Sequence, residues 1–494
     1  MKRILSNPIF ALVAGACLRL LFVLRFAAGS GDTVIYEQLA TNWLKYGKYA
    51  MDIGGQPVPV DLRMPGYPAF LAMIYALTGR TGENARAFVM AAQVLVDLTT
   101  CVVIAALAAV LALLMSERAN PKRAFTVGLW LAALCPFPAN YVAVPLTEVW
   151  ATFFTALALI PLVLVASIAE GEHFPSFGGK GEKGYWALVA LSGFVVGVGT
   201  LFRPESPLLL VTTLALLAYG LLRRGETKRF VLTVGLLACT CALPLLPWAI
   251  RNDETLHEFQ PLVPRNTMLP GEVDPMGFMA WERTWLYRVR DCYLVPWKLN
   301  EEAINVKDIP PWAFDTPEER ERVAAVLEQY NDELTWTAEE DAAFAQLARE
   351  RTKRHPLRTY LWIPLRRAVR VWFTPRIELV PVSGNVFPLA YMREEDPIDQ
   401  RVTILFFLGN VLYVGLGLLG GWKLWNYHGT RAAVAVIALY IVVRTMFLTT
   451  LETPEPRYVL VCFPALIALG AQVFAGKKSE KRNSKSENVP SHAE

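Results

Sequence analysis

The chain has 494 residues, 54% of them hydrophobic and only 19% charged, with a net charge of +4. A soluble protein of this size carries roughly 25% charged residues and no apolar runs near 20 residues, so the composition points to a membrane protein. The small basic excess is spread over short loops and the tail, which argues against nucleic acid as a partner. Six of the seven cysteines, Cys17, Cys101, Cys135, Cys239, Cys241 and Cys462, sit inside apolar runs, leaving Cys292 alone in a polar region. No disulfide framework follows, and Cys239 and Cys241 read as small helix-packing residues.

Taken in order, membrane-length apolar runs fall at 8–28, 88–115, 124–144, 149–169, 185–201, 207–222 and 230–250, then at 402–425, 432–451 and 458–475. They predict about ten transmembrane helices, the third broken by Pro136 and Pro138. The first follows Lys2 and Arg3, holds Arg19 and Arg25 and lacks a small-residue cleavage site, as expected of a retained signal anchor. Arg19 and Asp97 come to similar depth in the first two spans and predict a buried structural pair.

Between Asn252 and Arg401 the chain is largely polar. Helical spacing of Val323, Val326, Leu327, Leu334, Phe344 and Leu347 predicts a helical cap there. At 356–376, apolar residues alternate with Arg358, Arg366, Arg367 and Arg370, whose burial in a bilayer would cost roughly 2.5–3.5 kcal/mol each; an amphipathic interfacial helix is the expectation. The domain reading is therefore a seven-span N-terminal core at 1–250 with a first external loop at 29–85, an external region at 251–400, three spans at 401–476 and a disordered basic tail at 477–494.

Basic loop residues set the orientation. Arg118, Lys122, Arg123, Lys180, Lys183, Arg223, Arg224, Lys228, Arg229 and the tail from Lys477 to Lys485 share one side. The positive-inside rule makes that side, and both termini, cytoplasmic. Asp32, Glu148, Arg203, Glu205, Arg251, Glu452 and Arg457 then collect on the extracytoplasmic face of a multi-pass cell-membrane protein.

The loop at 29–68 concentrates the polar features. A half-apolar helix starts at Asp32, with Tyr36, Leu39, Ala40 and Trp43 on one face; Gly47 ends it, and a turn region closes with Arg63, Pro65, Gly66, Tyr67 and Pro68. Asp32, Tyr36, the Gly-rich turn and Arg63-Met64-Pro65-Gly66-Tyr67-Pro68 resemble the first external loop of the GT-C superfamily of membrane glycosyltransferases. Within it the chain is most similar to the branch of dolichyl-phosphate-mannose-protein mannosyltransferase-like and aminoarabinose-transferase-like proteins. Thr147-Glu148, Arg203-Pro204-Glu205, the 247–252 stretch and Arg457-Tyr458 continue the match in order.

The resemblance implies an all-α polytopic GT-C fold with an interfacial helix in the first external loop. It also implies an inverting hexosyl or pentosyl transfer from a polyprenyl-phosphate sugar to a glycolipid, glycan or protein hydroxyl of the cell envelope, at the bilayer surface. Protein-mannosylating members often show two adjacent acidic residues where this chain has Asp32-Thr33, so the acceptor stays open. Asp32 matches the family's catalytic aspartate; its plainer role is a helix N-cap. Glu148 could assist it, bind a divalent ion or simply cap a helix; Glu205 too could cap one.

Arg63, Arg203, Arg251 and Arg457 suit a departing phosphate, or else headgroups and carboxylates such as Glu205, Glu452 and Glu455. Tyr458 joins this substrate-binding set, and Tyr67, with Tyr36 and Trp43, could form an aromatic platform for sugar or prenyl chain. Five scattered histidines and no His/Cys cluster indicate neither a metal nor another cofactor. The alternative class is a transporter or flippase using Arg19, Asp97 and Arg444; a third is a structural subunit in which Asp32 only caps.

Overall fold

The computed structural model describes residues 7–115, 120–171, 181–264, 268–269, 271–384, 386–387 and 396–476. Arg118, Lys180 and the basic tail used for the orientation argument lie outside the described residues. Among the described residues the chain is all-α apart from one hairpin, Ala50–Ile53 paired antiparallel with Gln56–Pro59.

Among the described residues, eight helices are long and apolar enough to cross a membrane: Pro8–Phe26, Gly82–Leu114, Glu148–Ala169, Glu182–Thr200, Thr227–Leu256, Pro397–Trp425, His428–Thr449 and Pro456–Phe474. A ninth is the pair Pro121–Leu134 and Pro136–Ala143, bent by 45° at the expected proline break. The tenth run forms only Leu208–Leu222. At 1.5 Å per residue that helix is about 22 Å long, short of a bilayer's roughly 30 Å.

Buried polar side chains lock the bundle. The Arg19 guanidinium meets Asp97 at 2.6 Å with both side chains almost fully buried, and donates to the Gly15 carbonyl. The expected pair is therefore present, satisfied by carbonyls as well as by the carboxylate. Close backbone packing does the rest: a Cβ on Gly197 would stand 2.3 Å from the Cys241 carbonyl oxygen. Cys241 thus serves a tight helix contact, whereas Cys239 faces outward.

The first loop is more structured than its glycines and prolines imply. The Gly31–Tyr46 helix ends at Gly47 in a left-handed turn (φ 65°), which favours glycine. After the hairpin comes a second apolar helix, Gly66–Thr78. Gly66 donates its N–H to the Leu201 carbonyl at 2.7 Å, and any Cβ there would approach that oxygen to 2.6 Å. Arg86 clamps the loop helix through a two-pronged pair with Glu37, at 2.7 and 2.9 Å.

The cap has its own core of Phe278, Trp281, Trp285, Tyr330, Trp336 and Phe344. Two helices, Pro317–Glu333 and Ala338–Arg354, carry the anticipated apolar spacing, with Val323, Leu327, Phe344 and Leu347 buried. Leu334 is the exception: it caps the first helix at φ 53° and is exposed.

The amphipathic segment is helical over Arg358–Trp362 and Ile363–Trp372. Its exposed residues are mostly apolar (Tyr360, Leu361, Trp362, Leu365, Val369), with Arg366 among them. Two of its arginines turn inward, Arg367 donating to the Leu286 carbonyl at 2.6 Å and Arg358 pairing with Asp315 at 2.6 Å. The apolar side chains thus stay exposed while protein groups satisfy these two charges.

Replacing Asp97 by Ala leaves the Arg19 charge buried and unpaired, which costs about 3–5 kcal/mol. The expected outcome is a clear fall in melting temperature and folded yield in detergent; an unchanged melting curve would contradict the structural role.

Candidate active site

Asp32 lies in the first turn of the Gly31–Tyr46 helix, but it is not the cap. Ser30 takes that place, accepting from the Thr33 N–H while the Thr33 side chain accepts from the Ser30 N–H. Thr33 also donates to the Pro145 carbonyl at 3.1 Å, seating the helix start against the entry to the Glu148–Ala169 helix. The Asp32 carboxylate is therefore free to point across the bundle end. It accepts from Arg63 at 2.8 Å and from Arg457 at 3.0 Å.

Three further carboxylates continue this lattice. Glu148, buried at its helix start, pairs with Arg203 and stands 3.7 Å from Arg457. Glu205 accepts from Arg444 at 2.9 Å and lies 3.5 Å from Arg203. Glu455 binds Arg457 and accepts from the Tyr458 hydroxyl at 2.7 Å. Four carboxylates face four arginines, so the array is formally neutral. Glu148 keeps one buried oxygen, Oε2, with no hydrogen-bond partner among the described residues. The Tyr458 ring lies under both the Arg203 and the Arg457 guanidinium, at 5.3 and 5.4 Å.

Two cavities meet at this lattice. One of about 300 Å³ is lined by Asp32, Tyr36, Arg63, Glu148, Arg203, Glu205 and Tyr458, among others. A larger one of about 1,070 Å³ is bounded by Asp32, Tyr141, Tyr293, Trp297, Glu378 and Arg457. Asp32, Leu146, Arg457 and Tyr458 border both. Behind Pro65, Gly66 and Leu201 lies a third, mainly apolar groove of about 400 Å³, walled by Trp43, Tyr49, Pro247 and Trp248.

The structure thus brings together Asp32, Glu148, Arg63, Arg203, Glu205, Arg457 and Tyr458. Two expected site residues fall elsewhere. Tyr67 is wholly buried, its hydroxyl donating to Gln93 at 2.7 Å, and supports the Tyr36 ring edge-on at 5.0 Å instead of facing a cavity. Arg251 donates to the Tyr49 and Val60 carbonyls at 2.6 and 2.9 Å, tying the hairpin to the Thr227–Leu256 helix. It borders the apolar groove but not the charged cavity.

Trp43 belongs to that groove too, and Glu452 pairs with Arg283 of the cap instead of Arg457. Arg444 is an addition. Its place inside an apolar run suggested a transport path, yet its side chain reaches the end of the span to hold Glu205. The only sequence signal was an arginine about two turns from the end of an apolar run. Among the described residues no group of three His, Cys, Asp or Glu side chains converges as a metal site would require.

No protein-family model matches the chain, and neither does any curated protein. Several solved structures are similar. Oligosaccharyltransferase AglB from Archaeoglobus fulgidus, in complex with an inhibitory peptide and a dolichol-phosphate, matches at 14% identity and a TM-score of 0.46, over 94% of this chain and 50% of that one. The same organism's oligosaccharyltransferase with zinc and sulfate gives 13% and 0.48, over 95% and 50%. ArnT from Cupriavidus metallidurans bound to undecaprenyl phosphate gives 13% and 0.34, over 94% and 77%. The chain spans about half the length of the oligosaccharyltransferase.

Burial alone would raise the Asp32 pKa, but the Arg457 and Arg63 charges outweigh it and hold the carboxyl at about 2. A depressed folded-state pKa contributes stability above the unfolded value, about 4, that is lost as pH falls through the folded value. The melting temperature of wild type should therefore exceed that of Asp32→Asn near neutrality, and the gap should close as pH falls from about 4 toward 2. A pH-independent gap would show that the arginine pairs do not set this carboxyl.

Proposed function

We propose that the protein is a membrane glycosyltransferase that moves a sugar from a polyprenyl-phosphate donor to a hydroxyl of a cell-envelope acceptor. The single observation that carries this reading is the position of Asp32, at the wall shared by two cavities and within hydrogen-bond reach of two arginines. Displacement at a sugar carbon needs a base on one side and positive charge at the leaving phosphate on the other. The resemblance of the loop and span-end motifs to the GT-C superfamily supports the same assignment.

In this mechanism the donor phosphate enters the smaller cavity, and its first prenyl units lie in the adjoining apolar groove. Arg63, Arg203 and Arg457 bind its oxygens; planar guanidinium forks suit phosphate and stay charged when desolvated. The acceptor occupies the larger cavity. Its hydroxyl oxygen attacks the anomeric carbon, Asp32 takes the proton, and the bond from that carbon to the phosphate oxygen breaks. Polyprenyl phosphate leaves with the electron pair and a second negative charge, which the arginines stabilise. Attack opposite the leaving group inverts the sugar.

A carboxyl held at about 2 is a weak base. Donor binding resolves this, because a phosphate that recruits Arg63 and Arg457 releases Asp32 from its strongest partners and raises its proton affinity. The catalytic group is thus unmasked only with donor in place. Transport through the membrane has no comparable support: Arg19 and Asp97 are locked together and line none of the three cavities described above.

The test is sugar transfer by native-like membranes given radiolabelled polyprenyl-phosphate hexose or pentose and an envelope extract. Asp32→Asn should lower transfer by roughly 10²–10⁴-fold while folding normally, the range for losing a general base. Equal transfer by both proteins would remove Asp32 from the mechanism. Donor uptake into vesicles without transfer would replace the reading with a transporter.

A further inference from the structure

The larger cavity has a wall that the transfer step does not use. It holds about 1,070 Å³, more than the single hydroxyl that reacts beside Asp32 requires. Away from Asp32 and Arg457 its lining includes Tyr293, Trp297, Glu301, Glu378 and, from the end of the first span, Arg25. Tyr293 belongs to the short Val289–Leu294 helix and Trp297 to the next turn, Pro296–Lys298. Their rings meet edge to face at 4.3 Å and 78°, and both stay exposed, at 55% and 36%. An uncovered aromatic pair in a cavity wall offers an apolar face to whatever fills that cavity.

Glu378 is set into the same wall by strained backbone. Arg376, two residues earlier, adopts φ 59°, a left-handed conformation that a side chain disfavours. Its buried guanidinium holds it there, donating to Asn410 Oδ1 at 2.9 Å, the Pro456 carbonyl at 2.8 Å and the Val371 carbonyl at 3.0 Å. Glu378 itself keeps one buried oxygen, Oε1, with no hydrogen-bond partner among the described residues. Burial and then the Glu378 charge push the Tyr293 phenol above its ordinary value, so the carboxylate stands within electrostatic reach of the aromatic pair. Carboxylate acceptors and an arginine donor beside an uncovered aromatic face match a sugar, which is apolar on its C–H face and hydroxylated at its rim. A peptide is commonly held along a strand edge. The one hairpin among the described residues, Ala50–Ile53 with Gln56–Pro59, does not line this cavity.

Resting on the transferase reading, we propose that the acceptor hydroxyl belongs to a carbohydrate and not to a peptide. One sugar ring packs on Trp297 and Tyr293, and Glu378 accepts hydrogen bonds from its hydroxyls. Another hydroxyl of the same molecule then stands at Asp32, which borders the same cavity.

The experiment is saturation-transfer NMR on the full chain in phosphatidylcholine nanodiscs, without donor and with empty nanodiscs as background. The probes are neutral tetrasaccharides of glucose, mannose, galactose and N-acetylglucosamine, and a serine- and threonine-containing hexapeptide. At least one tetrasaccharide should bind saturably, with the strongest transfer to the C–H protons of one ring, and the peptide should not bind. Trp297→Ala should abolish that ring's enhancement, and Glu378→Gln should weaken binding by roughly tenfold. Should Trp297→Ala misfold, Tyr293→Leu removes the other ring of the pair and serves the same purpose. Trp422→Ala, at a tryptophan 70% exposed and outside this cavity, should change nothing. No tetrasaccharide bound, the peptide bound in its place, or binding unmoved by the Trp297 and Glu378 variants would overturn the proposal. A protein that binds the sugar yet transfers nothing to any acceptor defeats the transferase reading alone; one that transfers to peptide without binding sugar defeats this proposal alone.

Discussion

Arg457 is the residue on which this end of the molecule depends. It opens the last membrane helix, yet its guanidinium reaches Asp32, 425 positions earlier in the chain. The same side chain holds Glu455 and approaches Glu148. First loop, fourth and last spans are therefore joined through one charge. Arg203 and Arg444 extend the connection to Glu205, so every acid in the array has a guanidinium within reach. Partly buried ion pairs of this kind contribute little net stability, because desolvation offsets the attraction. Their value lies in fixed geometry and, on the proposed function, in a charge balance that an incoming donor phosphate would disturb.

The cap is coupled to that array by packing. Arg283 pairs with Glu452 just before the last span, while Tyr293 and Trp297 from the cap side wall the larger cavity. Arg367 binds the Thr449 carbonyl at the end of the preceding span. A cap with its own aromatic core, held at the span ends by arginines, gives the larger cavity a rigid roof.

Much of the architecture was legible because bilayer crossing demands long apolar runs, a signal that needs no tertiary information. The Arg19–Asp97 pair followed from the cost of burying either charge alone. The Leu208–Leu222 run was overcounted because hydropathy does not report where a helix stops. The first-loop hairpin and the Gly66–Thr78 helix were hidden by Pro and Gly that mark turns at both ends of each element. Spacing showed that Tyr67 and Arg251 come to the same end of the bundle as Asp32, but not their azimuth around it. Tyr67 turns to Gln93, which is buried and must be satisfied. Arg251 turns to the Tyr49 and Val60 carbonyls beside the hairpin. Arg444 was visible only as a charge inside an apolar run, since its partner Glu205 is 239 residues away, whereas the Arg457–Glu455 pair, two residues apart, was among the expected ones.

The central claim is that donor phosphate and Asp32 compete for the same arginines. The most direct measurement is a structure of the protein with polyprenyl phosphate bound in a lipid nanodisc. The account predicts the phosphate on Arg63, Arg203 and Arg457, with Asp32 separated from Arg63 and Arg457 beyond ion-pair distance. Phosphate bound elsewhere, with both Asp32 pairs intact, would contradict it.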